Sequence, residues 1–246
     1  MQSGESHPWY KSPALLVVAA FTLLQVLLVF LLGYTPYPDS NGYIALAEAA
    51  NEAGEPYPVA ADMTELAFLW NVGAINMTQL SLWLFGSVMP LLVLYALLKG
   101  ATAYCFYRVA LALAGERTAL AALLLYVVYP ANYGEATSLL SELPFLFFAM
   151  AALWAALRRQ ALVAGALLAA ANWFRPMALV FIVVLVAFYL YKIKEESARR
   201  MLRSVGCLVV GYSLVIVLIG GINQVRTGRF FYQAATGWMA LMQYSW

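Results

Sequence analysis

The sequence predicts an all-α fold: a polytopic transmembrane helical bundle of about seven spans, with interfacial helices in the first outer loop. Three observations support this prediction, namely the apolar composition, the length of the apolar runs and the uneven distribution of charge between them. Of the 246 residues, 64% are hydrophobic and 11% are charged, and the mean hydropathy is +0.79. Soluble domains are about half apolar and about a quarter charged. We therefore interpret residues 1–246 as a single transmembrane domain.

The apolar residues are grouped in runs of the length that a membrane helix needs. About 20 residues cross the hydrocarbon core, and a helix satisfies its own backbone hydrogen bonds there. The run Pro13–Leu32 is too long for a signal-peptide core and no small-x-small cleavage site follows it, so we predict a retained first span. Two shorter runs, from Thr118 and from Ala161, fit tilted, broken or re-entrant helices. The predicted spans are Pro13–Leu32, Ser87–Tyr107, Thr118–Tyr129, Leu139–Leu157, Ala161–Phe174, Met177–Tyr191 and Val205–Ile222.

The charges give an independent test of this topology, because cytoplasmic loops carry an excess of lysine and arginine. With the N-terminus inside, most basic residues fall on the inner side and most acidic residues on the outer side. The inner basic residues are Lys11, Arg108, Arg117, Arg158, Arg159, Lys192, Lys194, Arg199, Arg200 and Arg203; the outer acids are Asp39, Glu48, Glu52, Glu55, Asp62, Glu65, Glu135 and Glu142. Lys99 falls inside the second span, and we interpret it as a structural residue that extends toward inner water.

The composition also excludes several kinds of chemistry. A formal charge of +2 is too small to indicate a nucleic-acid partner. Cys105 and Cys207 lie inside apolar runs, so neither a disulfide framework nor a thiolate metal site is expected. His7 is the only histidine and lies in the N-terminal tail, which argues against histidine catalysis and a zinc site. Carboxylates and arginines remain as the candidate functional groups.

The first outer-face loop, residues 34–86, is too long to be only a connector. The Pro-Asp-Ser-Asn-Gly stretch at 38–42 can begin a short helix, since apolar residues then recur at helical spacing until Gly54 and Pro56 end it. A second stretch, Thr64–Phe85, carries Trp70 and Trp83 among apolar and amide residues, as interfacial helices do. We predict a structured cap on the outer face of the bundle.

Asp39 is the leading candidate for chemistry. It follows the first span by a few residues, and Tyr37 and Tyr43 flank it. A carboxylate held beside the headgroup region and partly screened from water can accept a proton from an acceptor hydroxyl. The alternative is that Asp39 only builds the turn or caps the helix that follows, as this residue type often does. Both interpretations remain open on local sequence alone.

Two further acids lie near the outer boundary. Glu142 stands at the outer start of a span, where an unpaired carboxylate is costly and therefore functional by default. The competing explanation is a role in the first helical turn, where a carboxylate suits the helix dipole and Ser138 or Ser141 can cap. Glu135 is a similar candidate in a less constrained loop, and we rank it below Glu142.

Three arginines are candidates for binding a phosphate. Arg175 lies between two apolar runs, and its guanidinium group offers paired donors that never lose their charge. Its alternative interpretation is a cation that extends to water from a helix C-terminus. Arg226 and Arg229 follow the last span and can attract phosphate, or they can be ordinary interfacial cations.

Together these residues resemble a known family. The chain is similar to the membrane glycosyltransferases of the GT-C superfold, and among them to the dolichyl-phosphate-mannose protein mannosyltransferase-like group with its bacterial relatives that use polyprenyl-phosphate sugars. The resemblance rests on the order and spacing of four features along nearly the whole chain. These are Pro38-Asp39-Ser40 followed by Tyr43 and Ala47, the run ending in Leu84-Phe85-Gly86, the short helix ending in Tyr129-Pro130 and followed by Ser141-Glu142, and Arg175-Pro176.

The resemblance implies that Asp39 is the catalytic base of the first outer loop, that Glu142 lines the same cavity and that Arg175 approaches the lipid phosphate. It also implies an integral multi-pass protein of the plasma membrane, here a bacterial inner membrane, with the active site on the extracytoplasmic face. An endoplasmic reticulum setting would place the same face toward the lumen.

We therefore expect a glycosyltransferase that moves a sugar from a polyprenyl-phosphate donor to a hydroxyl of a glycan, lipid or protein acceptor, with inversion at the anomeric carbon. No metal ligand is assigned and no cofactor is required, although a divalent cation such as Mg²⁺ or Mn²⁺ fits between the two acids. The predicted catalytic residues are Asp39 and Glu142, and the predicted substrate-binding residues are Arg175, Tyr43, Glu135, Arg226 and Arg229.

Two other functions remain as alternatives. A transporter or lipid-handling membrane protein could use the same residues as a substrate or proton site, although transporters place such groups near the middle of the bilayer and often contain an internal repeat. The sequence shows no convincing repeat, and its candidate residues lie at the outer boundary. The other alternative is a non-catalytic fragment of a longer enzyme of the same superfold.

Overall fold

The computed structural model describes residues 12–56, 71–192 and 197–233, of which 82% are helical. No strand occurs within these ranges, so the all-α prediction is confirmed for the described residues. The helices are α1 (Pro13–Leu32), α2 (Pro38–Ala53), α3 (Val72–Phe85), α4 (Met89–Ala114), α5 (Glu116–Val128), α6 (Ala131–Gly134), α7 (Glu142–Leu157), α8 (Ala161–Phe174), α9 (Ala178–Lys192) and α10 (Ala198–Thr227).

Three helices in the described part of the chain are long and apolar enough to cross a membrane: α1, α4 and α10. The helices α5, α7, α8 and α9 coincide with the other predicted spans but contain only 13 to 16 residues. At 1.5 Å per residue, 16 residues extend about 24 Å, which is less than the roughly 30 Å of a hydrocarbon core. The structure thus supports a membrane protein, while the count of seven spans is not confirmed.

Helices α1 and α4 run antiparallel through the bundle. In the first half of α1, Phe21 belongs to the same apolar cluster as Ala103 and Tyr107 of the second half of α4. Near the end of α1, Val29 packs with Leu91 and its neighbours at the start of α4. The contact is close, because a Cβ atom on Gly100 would lie 1.9 Å from the Thr22 Oγ1 atom. Residues 33–56 and 71–88 therefore lie at one end of the bundle, which we call the cap end.

A second close contact joins α8 to α10. A Cβ atom on Gly165 would lie 2.0 Å from the Leu208 carbonyl oxygen, and one on Gly211 would lie 2.0 Å from the Leu162 carbonyl oxygen. Each helix thus places a glycine against the backbone of the other, as in other small-residue contacts between membrane helices. Around this contact, Leu168 and Leu208 are fully buried in the largest apolar cluster of the described residues.

The chain between α5 and α7 turns back into the bundle instead of running over its surface. Residues 136–141 are all buried, and the Lys99 Nζ atom donates a hydrogen bond of 2.6 Å to the Asn132 carbonyl oxygen. The prediction that Lys99 extends to water is therefore wrong. Lys99 is 3% exposed, because the Asn132 carbonyl oxygen provides a hydrogen-bond partner within the bundle.

The cap consists of α2 and α3 and covers one end of the bundle. The two helices share an apolar cluster that includes Tyr43, Ala47 and Ile75. Pro38 occupies the first turn of α2, and Gly54 ends the helix in the left-handed conformation with a φ of 68°. The predicted second cap helix begins at Val72; its predicted residues 64–70 lie outside the described part of the chain.

Candidate functional site

An ion pair between Arg175 and Glu142 forms the centre of the site. Glu142 begins α7, and Arg175 follows α8 in an extended conformation because Pro176 disfavours helical geometry in the residue before it. The two helices form an antiparallel hairpin around Arg159, so the start of α7 and the end of α8 meet at the cap end. The side chains of Arg175 and Glu142 are 31% and 47% exposed.

A chain of hydrogen bonds connects this ion pair to the cap. The Ser141 hydroxyl donates to Glu142 Oε2 at 3.3 Å and accepts from the Tyr43 hydroxyl at 3.2 Å. The Asn71 Nδ2 atom donates to both the Tyr43 hydroxyl and the Ser141 hydroxyl, each at 2.9 Å. Because Asn71 directly precedes α3, the network connects both cap helices to the start of α7.

The protonation of Tyr43 is consistent with its role as a donor in this network. Burial raises the pKa of its hydroxyl; the hydrogen bonds with Ser141 and Asn71 act in the opposite direction, and the charges of Asp39 and Glu142 add to the increase. Since the pKa lies above the ordinary tyrosine value, the hydroxyl stays neutral at physiological pH. Tyr43 therefore fixes the position of Ser141 and does not act as a base there.

Asp39 lies in the first turn of α2 with its side chain exposed. It precedes Tyr43 by one helical turn, so both residues lie on the same face of α2. The neighbouring Ser40 is buried and donates to the Leu139 carbonyl oxygen at 3.1 Å, which fixes the start of α2 against the chain that leads into α7. The helix N-terminus also favours a negative charge at this position.

The loop before α2 is attached to the same segment. The Thr35 amide donates to the Thr137 carbonyl oxygen at 3.0 Å, and the two threonine hydroxyls are 2.7 Å apart. The Ser138 hydroxyl donates to the Thr35 carbonyl oxygen at 3.4 Å. These contacts hold the backbone on both sides of Asp39, so the carboxylate has a defined position even though its side chain is open to solvent.

A cavity of about 790 Å³ lies between the cap and the end of α10. Its wall is largely apolar, with Leu80, Trp83 and Trp173 among the lining residues. Arg226 lies at this cavity and donates to the Gly54 carbonyl oxygen at 2.9 Å, which joins the end of α10 to the end of α2. Arg229 is exposed and is not among the described residues that line the cavity.

The predicted site residues thus fall into three groups. Glu142, Arg175 and Tyr43 belong to one network, with Asp39 one turn from Tyr43. Arg226 and Arg229 lie at the end of α10. Glu135 is close enough to Lys99 for their charges to interact, and none of the described contacts connects it to the Glu142 network.

Sequence reasoning did not identify Asn71 as part of the site. A polar residue directly before an apolar helix usually caps that helix, yet Asn71 makes no side-chain cap contact and instead bonds to Tyr43 and Ser141. Only the fold shows this role, because its partners are 28 and 70 residues away in the chain.

Within the described residues, no three of the His, Cys, Asp and Glu side chains group together in a way that could hold a metal ion. A divalent cation between Asp39 and Glu142 would therefore have at most two carboxylate ligands from these ranges. Mg²⁺ binds in this manner when water and a substrate phosphate complete its coordination. The cation remains a prediction on this arrangement.

The chain was compared with protein-family models, with curated proteins and with solved structures, and none of the three comparisons gave a match. The function is therefore inferred from the site and from the resemblance in its motifs.

Proposed function

We propose that the protein is a membrane glycosyltransferase that transfers a sugar from a polyprenyl-phosphate donor to an acceptor hydroxyl on the extracytoplasmic face. One observation carries the proposal: Tyr43, Glu142 and Arg175, which are far apart in sequence, belong to one network at the cap end, one helical turn from Asp39. The three apolar helices of spanning length support a membrane setting.

The geometry favours Arg175 over Arg226 as the partner of the donor phosphate. Arg226 contacts Gly54, at the opposite end of α2 from Asp39. The separation of these positions along the helix is about 22 Å at 1.5 Å per residue, which is longer than a single sugar phosphate. Arg175 pairs with Glu142 at the same end of α2 as Asp39, and a guanidinium group has enough N–H donors to bind a phosphate oxygen as well as a carboxylate.

The large cavity supports a lipid donor. Trp173 lines it and lies two residues before Arg175, so we place the lipid chain of a donor bound at Arg175 along this apolar wall. The exposed side chains of Leu80, Trp83 and Ile222 line the same cavity. We assign the first isoprene units of the donor to this cavity and assign Arg226 to its far end.

In the proposed reaction Asp39 removes the proton from the acceptor hydroxyl. The resulting oxygen nucleophile attacks the anomeric carbon, the bond from that carbon to the phosphate oxygen breaks, and the polyprenyl phosphate leaves with the bonding electron pair. Arg175 stabilises the charge that develops on this phosphate, and Glu142 with Ser141 positions the guanidinium group. Positioning and charge stabilisation supply most of the acceleration, because a phosphate is already a good leaving group.

The decisive experiment is Asp39→Asn in the purified, membrane-reconstituted protein, assayed with a radiolabelled polyprenyl-phosphate sugar and a panel of hydroxyl acceptors. We expect transfer to fall by at least about a hundredfold, since general-base catalysis contributes that much or more, while donor binding persists. Glu48→Gln is the matched control, because Glu48 is an exposed acid on the same helix. Near-normal transfer by the Asp39 variant would refute the base assignment.

The same assay separates the alternative of a lipid-handling protein, which the apolar cavity also favours. Such a protein would bind the polyprenyl-phosphate sugar or move it between leaflets without releasing or transferring the sugar. Saturable donor binding with no sugar transfer to any acceptor would support this alternative over the enzyme.

A further inference from the structure

Two arginines flank one tryptophan at the end of the bundle opposite the cap. Arg108 lies near the end of α4, and Arg158 caps the end of α7. Their guanidinium carbons lie 5.2 Å and 5.6 Å from the centre of the Trp154 ring. Tyr104 completes the group, because its hydroxyl accepts a 2.7 Å hydrogen bond from Arg108 Nη1 and its ring packs edge-on against Trp154.

The positive charge of this cluster is not balanced by nearby acids. Among the described residues, no carboxylate forms an ion pair with Arg108 or Arg158. Glu116, the described acid nearest to Arg108 in the chain, is exposed and makes no such contact. A guanidinium group has five N–H donors, so an arginine placed over an aromatic ring still has donors for a further partner. The arrangement therefore favours an anion that neutralises both arginines.

Two cavities open beside the same tryptophan. One of about 270 Å³ is lined by both arginines and Leu111, and one of about 330 Å³ extends between α4, α7 and α8. Trp154 and Arg158 line both. The larger cavity reaches Ala101, seven residues before Arg108 and so about 10 Å closer to the middle of α4. Its wall there is apolar. A charged opening that continues into an apolar cavity suits a lipid headgroup and the start of an acyl chain.

We propose that this cluster binds an anionic phospholipid of the leaflet at this end of the bundle, with the lipid phosphate between Arg108 and Arg158 and one acyl chain in the cavity between α4, α7 and α8. Basic pockets between membrane helices bind anionic headgroups in this manner. The site is separate from the Glu142–Arg175 network, since it lies at the other end of α7. Its role is to hold α4 and α7 together on the side that carries most of the positive charge.

The test uses the purified full chain and phosphatidylglycerol, with phosphatidylcholine as the uncharged comparison, and counts bound lipids by native mass spectrometry. We expect preferential retention of phosphatidylglycerol that falls about fivefold for each arginine changed in Arg108→Gln and Arg158→Gln. Arg203→Gln is the matched control, because Arg203 is an exposed arginine on α10 outside the cluster. Equal retention of the two lipids by the wild type would overturn the proposal.

Two further arms distinguish a lipid from a free phosphate. Ala101→Leu fills the apolar cavity while leaving both arginines in place, so it should reduce phosphatidylglycerol retention. Unchanged retention in that variant would refute the acyl-chain site.

Inorganic phosphate at millimolar concentration should not reproduce the thermal stabilisation given by phosphatidylglycerol, and equal stabilisation would show a simple phosphate site instead. Arg158 is exposed, so its substitution leaves a folded protein in which the loss of binding can be measured.

Discussion

At the residue scale, the ion pair between Glu142 and Arg175 is better suited to function than to stability. Both side chains are partly exposed, at 47% and 31%, and ion pairs in such positions contribute about 1 kcal/mol or less. In the proposed enzyme, replacing Arg175 would also remove a charge-assisted hydrogen bond to the donor phosphate. The two effects differ in size and can be measured separately.

We expect Arg175→Gln to lower sugar transfer at least about tenfold, since a hydrogen bond to a charged group is worth roughly 1.5–3 kcal/mol. The coupling between Arg175→Gln and Glu142→Gln in thermal unfolding should not exceed about 1 kcal/mol. A double-mutant cycle, measured both by transfer and by unfolding, checks this expectation. If activity fell only in proportion to the folded fraction, the pair would be structural.

Gln25 provides a contrasting case. It lies in α1 and is fully buried, and neither its amide nitrogen nor its amide oxygen has a hydrogen-bond partner among the described residues. Replacing such a group by an apolar side chain of similar length removes the cost of burying it, which is about 1–3 kcal/mol. We expect Gln25→Met to raise the unfolding temperature in detergent. The neighbouring Leu24→Met, at an exposed position, is the control and should leave it unchanged.

At the element scale, the contact between α8 and α10 depends on two glycines. The Cβ atom of Gly165→Ala or Gly211→Ala would lie 2.0 Å from a backbone oxygen of the other helix, so the helices must separate. We expect each substitution to destabilise the protein by about 1–3 kcal/mol, as overpacking does. Denaturation in detergent measures the change.

Gly206→Ala on α10 is the matched control for this pair. No atom of another described helix lies within 4 Å of its Cβ position, and alanine favours helix over glycine by up to about 1 kcal/mol. The control should therefore be neutral or slightly stabilising. If Gly206→Ala lost as much stability as Gly211→Ala, the loss could not be attributed to the contact between α8 and α10.

The bounds of some helices follow from their own sequence, and the bounds of others do not. The first helix has the predicted bounds, Pro13–Leu32, because a proline begins it and Gly33 ends it within one continuous apolar run. The predicted span Leu139–Leu157 begins three residues before α7. Residues 137–141 belong instead to the buried segment that bonds to Thr35 and Ser40, and nothing in their own sequence indicates that partner.

The same limit applies to the candidate site. Local sequence pointed to Asp39, Glu142 and Arg175 separately, because charged groups are costly near a membrane interior. Their arrangement depends on the hairpin of α7 and α8 and on the attachment of α2, which are tertiary contacts. Sequence alone predicts the wrong surroundings for Lys99 for the same reason. The Asn132 carbonyl approaches its side chain only because the segment between α5 and α7 turns inward.

At the scale of the whole molecule, the shorter helices decide the topology. Between the cap and the turn at Gln160 the chain passes through α4, α5 and α7. The cap and Gln160 lie on opposite sides of the membrane if an odd number of these helices cross it, that is, one or all three. The charge distribution predicts that the cap lies outside.

Site-directed labelling tests this arrangement. In a background with Cys105→Ala and Cys207→Ala, we expect Glu48→Cys to react with a membrane-impermeant maleimide in intact cells and Gln160→Cys to react only after lysis. Glu48 and Gln160 are both exposed, so a cysteine at either position can react. Reaction of both variants in intact cells would mean that two of the three helices cross or that none does. The reverse pattern would place the cap in the cytoplasm.

Three of the contacts that hold the cap and the inward segment share one chemical trait: Ser40, Lys99 and Arg226 each donate from a side chain to a main-chain carbonyl. Every amino acid supplies such an oxygen. The receiving positions can therefore drift over evolutionary time within the limits of size and backbone shape, whereas the donating positions cannot. At these three contacts only the donor is specified by its side chain, so tolerance to substitution should differ sharply between the donor and the acceptor residue.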